Sequence, residues 1–210
     1  MSLENLQEKI QEAAGRGAAI RIRGGGTKDF YGNALEGEVL DTRGYAGVVD
    51  YEPTELVITA RCGTSLLEIQ KILLEKNQIL PFEPPHFGAG ATVGGCIAAG
   101  LSGPRRASAG SVRDFVLGAT ILDGRGQKLA FGGRVMKNVA GYDVSRLLAG
   151  SLGTLGLILE VSLKVLPRPA SELTLTLELP QEKALEFMLF DLSACVIPDD
   201  REPEPPPVVL

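Results

Sequence analysis

The placement of glycine is the feature that most constrains how this chain folds. The 210 residues include 26 glycines, and all of them lie between Gly15 and Gly156. Many of them cluster in three loops, at residues 24–26, 88–95 and 150–156. Because glycine has no Cβ and tolerates positive φ, each cluster lets the backbone turn tightly or approach another group closely. We therefore expect the chain up to residue 156 to fold around tight glycine loops. The segment after residue 156 should have a different kind of structure.

Composition excludes several classes of protein. The glycines follow no three-residue period, which excludes collagen, and apolar residues make up 44% of the chain, which is enough for a core. The longest uncharged apolar run, residues 147–159, is too short to span a bilayer. The N-terminus lacks a cleavable apolar stretch, and no basic stripe indicates nucleic-acid binding. We expect a cytoplasmic protein without a transmembrane segment.

Apolar periodicity predicts both helices and strands along the chain. The predicted helices cover residues 3–14, 66–77 and 144–149, with Ser2, Ser65 and Asp143 as N-caps, and a further helix begins at 182. The predicted strands cover residues 18–22, 56–60, 115–122, 128–131, 155–166 and 173–179. Residues 83–103 hold six glycines and are expected to form a loop that opens into a short helix of small residues. The acidic, proline-rich residues 198–207 should be disordered or extended.

The common catalytic motifs are absent from the sequence. It contains no GxGxxG, which disfavours an NAD-linked Rossmann dehydrogenase, and it has neither a P-loop nor a GxSxG elbow. His86 is the only histidine, so we expect no metal site or catalytic triad based on histidine, and we interpret His86 as a packing residue of its loop. Cys62, Cys96 and Cys195 form no CxxC pair, and we expect Cys62 and Cys96 to be structural.

The glycine loops are the remaining candidates for a binding site. Successive glycines let several N–H groups converge on one point, and a pyrophosphate is the anion that best fills such a nest. Thr27 offers a hydroxyl beside the first loop, and Arg23 and Lys28 offer charge. The alternative interpretation is that the loops are tight turns in a compact fold. Only the first loop directly follows a predicted strand, which is the context that a phosphate nest needs.

Six sequence blocks, taken in order, resemble the FAD-binding domain of the vanillyl-alcohol-oxidase type (PCMH-type) flavoproteins. They are residues 23–27 (RGGGT), 51–57 (YEPTELV), 90–95 (GATVGG), 100–106 (GLSGPRR), 131–143 (FGGRVMKNVAGYD) and 150–156 (GSLGTLG). The fourth and fifth blocks are most similar to the FAD-binding E subunits of bacterial glycolate oxidases. The last block is shared with D-lactate dehydrogenases. The resemblance covers about residues 1–170.

The resemblance implies an α+β fold in which two α+β subdomains hold FAD in an extended pose, followed by the stub of a cap domain. It implies that the first loop contacts the pyrophosphate, the second the flavin side, and the third the adenosine or ribityl part. The implied cofactor-binding residues are Arg23, Gly24, Gly25, Gly26, Thr27, Lys28, Gly90, Ala91, Thr92, Val93, Gly94, Gly95, Ala98, Gly110, Ser111, Gly153, Gly156 and Ile158. Some relatives bind flavin covalently through histidine or cysteine. Thr27 stands where such a histidine would lie, so we expect non-covalent FAD.

The resemblance also implies a division of the chain. The FAD-binding domain is expected over residues 1–170, the start of a C-terminally truncated cap domain over 171–192, and an acidic, proline-rich disordered tail over 193–210. In the family the cap supplies most substrate contacts, so no catalytic residue is assigned. Two interpretations stay open for Arg105, Arg106 and Lys137. They could hold the carboxylate of a substrate, or they could lie on the solvated surface.

The implied function is that of the FAD-binding subunit of a glycolate (2-hydroxy-acid) oxidase or dehydrogenase complex. Such a subunit would take part in electron transfer from a small α-hydroxy acid to an iron–sulfur subunit, together with a sister flavoprotein subunit. The implied location is the cytoplasm, with peripheral membrane association through the partner subunits. The alternative is a truncated FAD-binding scaffold or assembly module without turnover of its own.

Overall fold

The computed structural model describes residues 1–133 and 142–171, and beyond them residues 176–178, 180, 182–183, 195–196 and 207–209. The helices are α1 (Leu3–Arg16), α2 (Leu66–Leu74), α3 (Val93–Ala99), α4 (Arg106–Ala109), α5 (Val112–Phe115) and α6 (Val144–Leu147). The strands are β1 (Ile20–Arg23), β2 (Glu38–Asp41), β3 (Val48–Glu52), β4 (Val57–Arg61), β5 (Gln78–Ile79), β6 (Val116–Leu122), β7 (Lys128–Gly132), β8 (Leu157–Lys164), β9 (Leu166–Pro167), β10 (Thr176–Glu178), β11 (Cys195–Val196) and β12 (Pro207–Val209).

A five-stranded antiparallel sheet in the order β3-β4-β8-β6-β7 forms the larger unit of the fold. Strand β8 lies at its centre, between β4 and β6. The alternating pattern of residues 155–166 predicts one solvated face, but Ser162 is only 9% exposed and shares a 2.8 Å hydrogen bond with the hydroxyl of Thr59. The prediction of a solvated face is therefore wrong at Ser162, because β4 supplies a hydroxyl partner inside the fold.

The N-terminal unit consists of α1 and the parallel pair of β1 and β2. Helix α1 begins at its predicted cap, where the Ser2 hydroxyl accepts a 3.3 Å hydrogen bond from the Asn5 N–H. It ends at Gly17, which has a φ of +64°, and not at Gly15 as the sequence predicts. The left-handed conformation of Gly17 lets its N–H bond back to the last carbonyls of the helix. Leu6 and Ile10 of α1 join the same hydrophobic cluster as the five-stranded sheet.

Helix α3 is the predicted short helix of small residues, and its glycines let it lie unusually close to its neighbours. The Thr92 hydroxyl caps it by accepting a 3.3 Å hydrogen bond from Gly95 N–H. A Cβ placed on Gly94 would lie 2.6 Å from Cβ of Cys62, and one on Gly100 would lie 2.8 Å from the backbone of Gly150. Only glycine permits these approaches, so α3 is fixed between the end of β4 and the 150–156 loop.

The C-terminal part of the chain contributes a small antiparallel sheet in the order β10-β12-β11. Strand β10 falls inside the predicted strand 173–179, whose remaining residues lie outside those described. The predicted helix after 182 and the acidic residues 198–206 also lie outside the described residues, apart from 182–183. The expected division at residues 170 and 192 stays a prediction. Within the residues that the structure describes, no helix is long and apolar enough to cross a membrane.

Candidate functional site

A cavity of about 420 Å³ lies between the N-terminal unit and α3. One wall is β1 with the segment that follows it, residues 24–36, and the other is α3 with residues 152–154. A smaller cavity of about 70 Å³ continues it toward the start of β8. Both cavities are lined by Ile22, Gly24, Gly95, Ala98, Leu152 and Gly153. The two cavities therefore adjoin and form one cleft, which runs from the first glycine loop to the third.

The first glycine loop offers the backbone donors that an anion nest requires. Within the described part of the chain, none of the five backbone N–H groups of residues 24–28 donates a hydrogen bond to the protein. A Cβ on Gly24 would overlap the Thr92 hydroxyl, and a Cβ on Gly25 would overlap the carbonyl of Gly90. The loop is thus pressed against the start of α3 while its donors stay available. Backbone donors left in this way form a cradle for an anionic ligand.

The third loop, residues 150–156, is built differently. Most of its N–H groups are already bonded: Gly150 donates to Ile97 O at 3.0 Å and Leu152 to Ala98 O at 2.9 Å, and both carbonyls belong to α3. Gly153 has a φ of +81°, and a Cβ placed on it would lie 3.3 Å from Cδ1 of Ile22. This loop therefore clamps the C-terminal end of α3 and forms a cleft wall. Its glycines serve close approach, in agreement with the tight-turn interpretation.

In the second loop, side chains alternate between the cleft and the core. The N–H groups of Val93 and Gly94 bond to the carbonyls of Thr64 and Cys62, at 2.9 and 2.8 Å. Ala91 and Val93 are buried in the core, whereas Gly95 is exposed on the cleft side of α3. The cleft is accordingly formed by one face of α3 and its cap, where Thr92, Gly95 and Ala98 are spaced three residues apart.

The cleft brings together most of the residues that the sequence predicts for the site. Those that line it are Arg23, Gly24, Gly25, Gly26, Thr27, Lys28, Thr92, Gly94, Gly95, Ala98, Gly153, Gly156 and Ile158. Those that line neither cavity are Gly90, Ala91, Val93, Gly110 and Ser111. Their proposed contacts with a cofactor stay predictions. Ser111 has a local role, because its hydroxyl and N–H both bond to the Asp114 carboxylate, at 2.9 and 2.8 Å.

A small ion-pair network, which the sequence analysis did not predict, closes the first loop. One carboxylate oxygen of Asp29, Oδ2, accepts from Arg21 Nη2 at 2.7 Å and from Arg23 Nε at 2.9 Å. Asp29 thereby ties the residue after the loop to the strand before it. The sequence contains a partial signal for this network in the spacing of the two arginines. Residues two apart on a strand share a face, so Arg21 and Arg23 are expected to point the same way.

Lys28 is the third cation of the cleft. Burial lowers the pKa of its ammonium, and the ammonium lies 5.6 Å from the centroid of the Phe87 ring. Phe87 in turn meets Phe30 edge to face, with the ring centroids 5.1 Å apart. Neither aromatic residue was predicted for the site.

No strong nucleophile faces the cleft among the residues that the structure describes. His86 lines neither cavity. Cys62 lines the smaller cavity, but burial raises the pKa of its thiol to about 12, and burial does the same for Cys96. Both thiols are protonated near neutral pH and are poor nucleophiles. Of the fourth and fifth sequence blocks, residues 134–141, including Lys137, lie outside the described part of the chain.

Comparison with known sequences gives consistent relatives. Residues 1–132 match the family described as "FAD binding domain". Glycolate oxidase subunit GlcE of Escherichia coli strain K12 is 52% identical over 180 residues, which cover 86% of this chain and 51% of that protein. Glycolate oxidase subunit GlcD of Bacillus subtilis strain 168 is 32% identical over 128 residues, covering 61% of this chain and 27% of that protein. The chain thus spans about half the length of the E. coli relative.

Comparison with solved structures confirms the predicted α+β fold. Alkyldihydroxyacetonephosphate synthase superposes with a TM-score of 0.65 at 23% sequence identity, covering 82% of this chain and 31% of that protein. An identity this low supports a shared fold and nothing about substrate.

Proposed function

Because this chain belongs to the FAD binding domain family, we propose that it is the FAD-binding subunit of a complex that oxidises glycolate or a related 2-hydroxy acid. FAD is its cofactor, as the sequence resemblance implied. The single observation that carries the proposal is the first glycine loop, whose N–H groups at residues 24–28 make no hydrogen bond within the described part of the chain. A dinucleotide pyrophosphate supplies the acceptors that this loop lacks.

The cleft residues fit the pyrophosphate of FAD and one of the parts that adjoin it. The nest at residues 24–28 would hold the pyrophosphate, with the Thr27 hydroxyl as a further donor. The smaller cavity, lined by Gly153, Gly156 and Ile158, would take the adenosine or ribityl part through close backbone contact. Non-covalent attachment is favoured, because Cys62, the thiol that lines the cleft among the described residues, has a pKa raised by burial to about 12, and His86 lies outside the cleft.

When bound, FAD supplies the capacity to accept two electrons and to pass them on singly. Oxidation of an α-hydroxy acid releases a hydride from its carbon and a proton from its hydroxyl, and the proton needs a base. Among the described cleft residues no histidine or reactive thiol stands ready for that role. We propose that hydride removal takes place at a sister flavoprotein subunit and that this chain relays the electrons, with an iron–sulfur subunit as acceptor. The complex would lie in the cytoplasm or be held peripherally at a membrane by its partners.

A second function is also open for a chain whose described cleft residues include no histidine and no reactive thiol. The chain would bind FAD and support assembly of the complex without taking part in turnover. The two proposals differ in whether reduced FAD on this chain is reoxidised by the iron–sulfur subunit.

The test is purification of this chain alone and together with the two partner subunits, followed by flavin analysis and dye reduction with glycolate. The relay proposal expects a yellow protein with about one FAD per chain, no turnover alone, and turnover in the complex that falls when the first loop is mutated. Full turnover by a complex in which this chain carries no FAD supports the scaffold. A colourless chain that does not take up FAD, alone or in the complex, refutes both.

A further inference from the structure

Arg21, Arg23 and Lys28, the cations among the described residues of the cleft, are not electrically equivalent. Arg21 and Arg23 share the carboxylate of Asp29, at 2.7 and 2.9 Å, so much of their charge is already compensated. Lys28 forms no ion pair within the described part of the chain. The other carboxylate of the cleft wall, Glu36, is exposed to solvent and also makes no ion pair there. Lys28 is therefore the cation with the most charge left for a ligand.

The position of Lys28 is set by aromatic contact and not by a carboxylate. Its ammonium lies 5.6 Å from the Phe87 centroid, within the range of a cation–π interaction. Its further electrostatic neighbour is the Cys96 thiol of α3, which is neutral near pH 7. A ring attracts an ammonium without neutralising it. The arrangement thus orders the side chain while preserving its charge.

Phe87 has a strained backbone conformation at this position. Its φ is +52°, a conformation that bulky residues rarely adopt, and its side chain is 56% exposed. Burial in the core therefore does not explain the conformation. The edge-to-face contact with Phe30 braces the ring, and Phe30 follows Lys28 by only two residues. The contact with Phe30 therefore maintains a strained backbone conformation at Phe87, close to the cleft. Strain at such a place points to a functional role for the residue.

We propose that Phe87 is a positioning residue, which holds the Lys28 ammonium beside the nest at residues 24–28 so that Lys28 neutralises the bound pyrophosphate. The proposal rests on the proposed function, because it assumes that FAD binds in this cleft. It assigns to Lys28 the main ionic contact and to Arg23 a smaller one. A ligand that retains the pyrophosphate but lacks the flavin, such as ADP, should feel the same contact.

The test is a double-mutant cycle on FAD and ADP affinity, measured by isothermal titration calorimetry at several salt concentrations. Lys28→Gln is expected to weaken FAD binding about 10- to 100-fold, the range for a lost charge-assisted contact. Phe87→Leu is expected to weaken it about 3- to 10-fold, and Phe87→Tyr, which keeps the ring, to restore it. Combining Phe87→Leu with Lys28→Gln should add nothing beyond Lys28→Gln alone. Lys71→Gln on the exposed face of α2 serves as the matched control and should leave affinity unchanged.

Salt dependence separates positioning from a general loss of structure. Both Lys28→Gln and Phe87→Leu should show a shallower fall of affinity with salt than the unmodified protein, since each loses an ionic contact with the ligand. Additive losses in the double variant, or an unchanged affinity in Phe87→Leu, would overturn the inference while leaving FAD binding intact. Failure of the unmodified protein to bind FAD would instead overturn the proposed function, and this inference with it.

Discussion

Replacing Gly25 with alanine tests whether close backbone contact builds the anion nest. Gly25 has an ordinary φ, so alanine introduces no backbone strain at this position. The new Cβ would overlap the carbonyl oxygen and carbon of Gly90. Because both groups belong to the main chain, no side-chain rotation relieves the overlap. The first loop and the start of α3 must therefore move apart.

The size of the effect follows from two separate losses. Overpacking of this kind costs about 1–3 kcal/mol of folding free energy. Movement of the loop also misaligns its N–H groups, and each lost hydrogen bond to a charged acceptor is worth about 1.5–3 kcal/mol. Loss of one such bond raises the Kd for FAD about 10- to 100-fold. Affinity should thus fall by more than the loss of fold stability alone predicts.

The assay measures the two losses independently, with a matched glycine as control. Chemical denaturation without ligand gives the folding term, and titration of FAD at low temperature, where the variant stays folded, gives the binding term. Gly15→Ala is the control, because nothing lies within 4 Å of a Cβ there, and in helix α1 it should stabilise the protein by roughly 0.5–1 kcal/mol with unchanged Kd. An unchanged Kd in folded Gly25→Ala would refute the reasoning.

Two further predictions concern the core beneath the cleft. Burial raises the pKa of the Cys96 thiol from 9.0 to about 12, so its contribution to stability is complete below pH 9 and is lost as pH rises toward 12. The loss is about 1.4 kcal/mol per pH unit, so the unfolding free energies of the unmodified protein and Cys96→Ala should converge between about pH 9 and 11, and a constant difference would contradict this. Thr59→Val leaves the buried Ser162 hydroxyl without its 2.8 Å partner and should cost about 1–3 kcal/mol in urea unfolding. The double variant with Ser162→Ala should recover most of that loss, and a double variant as unstable as the sum of the single ones would argue against the pairing.

The sequence predicts most of the elements that build the cleft, because each is marked by a local signal. Ser2 and Asp143 cap helices where expected, and residues 128–131 return as the second strand of a hairpin. Ser65 also caps its helix as predicted, and its hydroxyl accepts a 3.2 Å hydrogen bond from Leu67 N–H. Helix α2 also stops at Leu74, before the predicted end at residue 77. Element ends depend on contacts that periodicity does not record.

In the sequence, a glycine in a loop whose N–H groups stay available for a ligand looks the same as a glycine that permits close packing. Residues 24–26 and 150–156 are both rich in glycine, but in the second group the N–H groups of Gly150 and Leu152 donate to α3 and most of the others donate to nearby carbonyls. That difference depends on which carbonyls lie opposite the loop in the folded chain. The roles of Asp29 and Phe87 were missed for a related reason. Each contacts a residue that is separated from it by a loop, and although the spacing of Arg21 and Arg23 places both on one face, it does not identify Asp29 as their partner.

The same close contacts connect cofactor binding to folding. The first loop touches the start of α3 through Gly25 and Gly90, and the third loop holds the other end of α3 through Gly150 and Leu152. A ligand in the cleft bridges both walls, so it binds the folded chain and not the unfolded one. Such a ligand stabilises the fold by RT ln(1 + [L]/Kd), about 2.7 kcal/mol at 100 times Kd. A substitution that separates the two walls therefore lowers both the stability of the fold and the additional stability that the bound ligand supplies. For this reason the free energies of folding and of ligand binding must be measured separately.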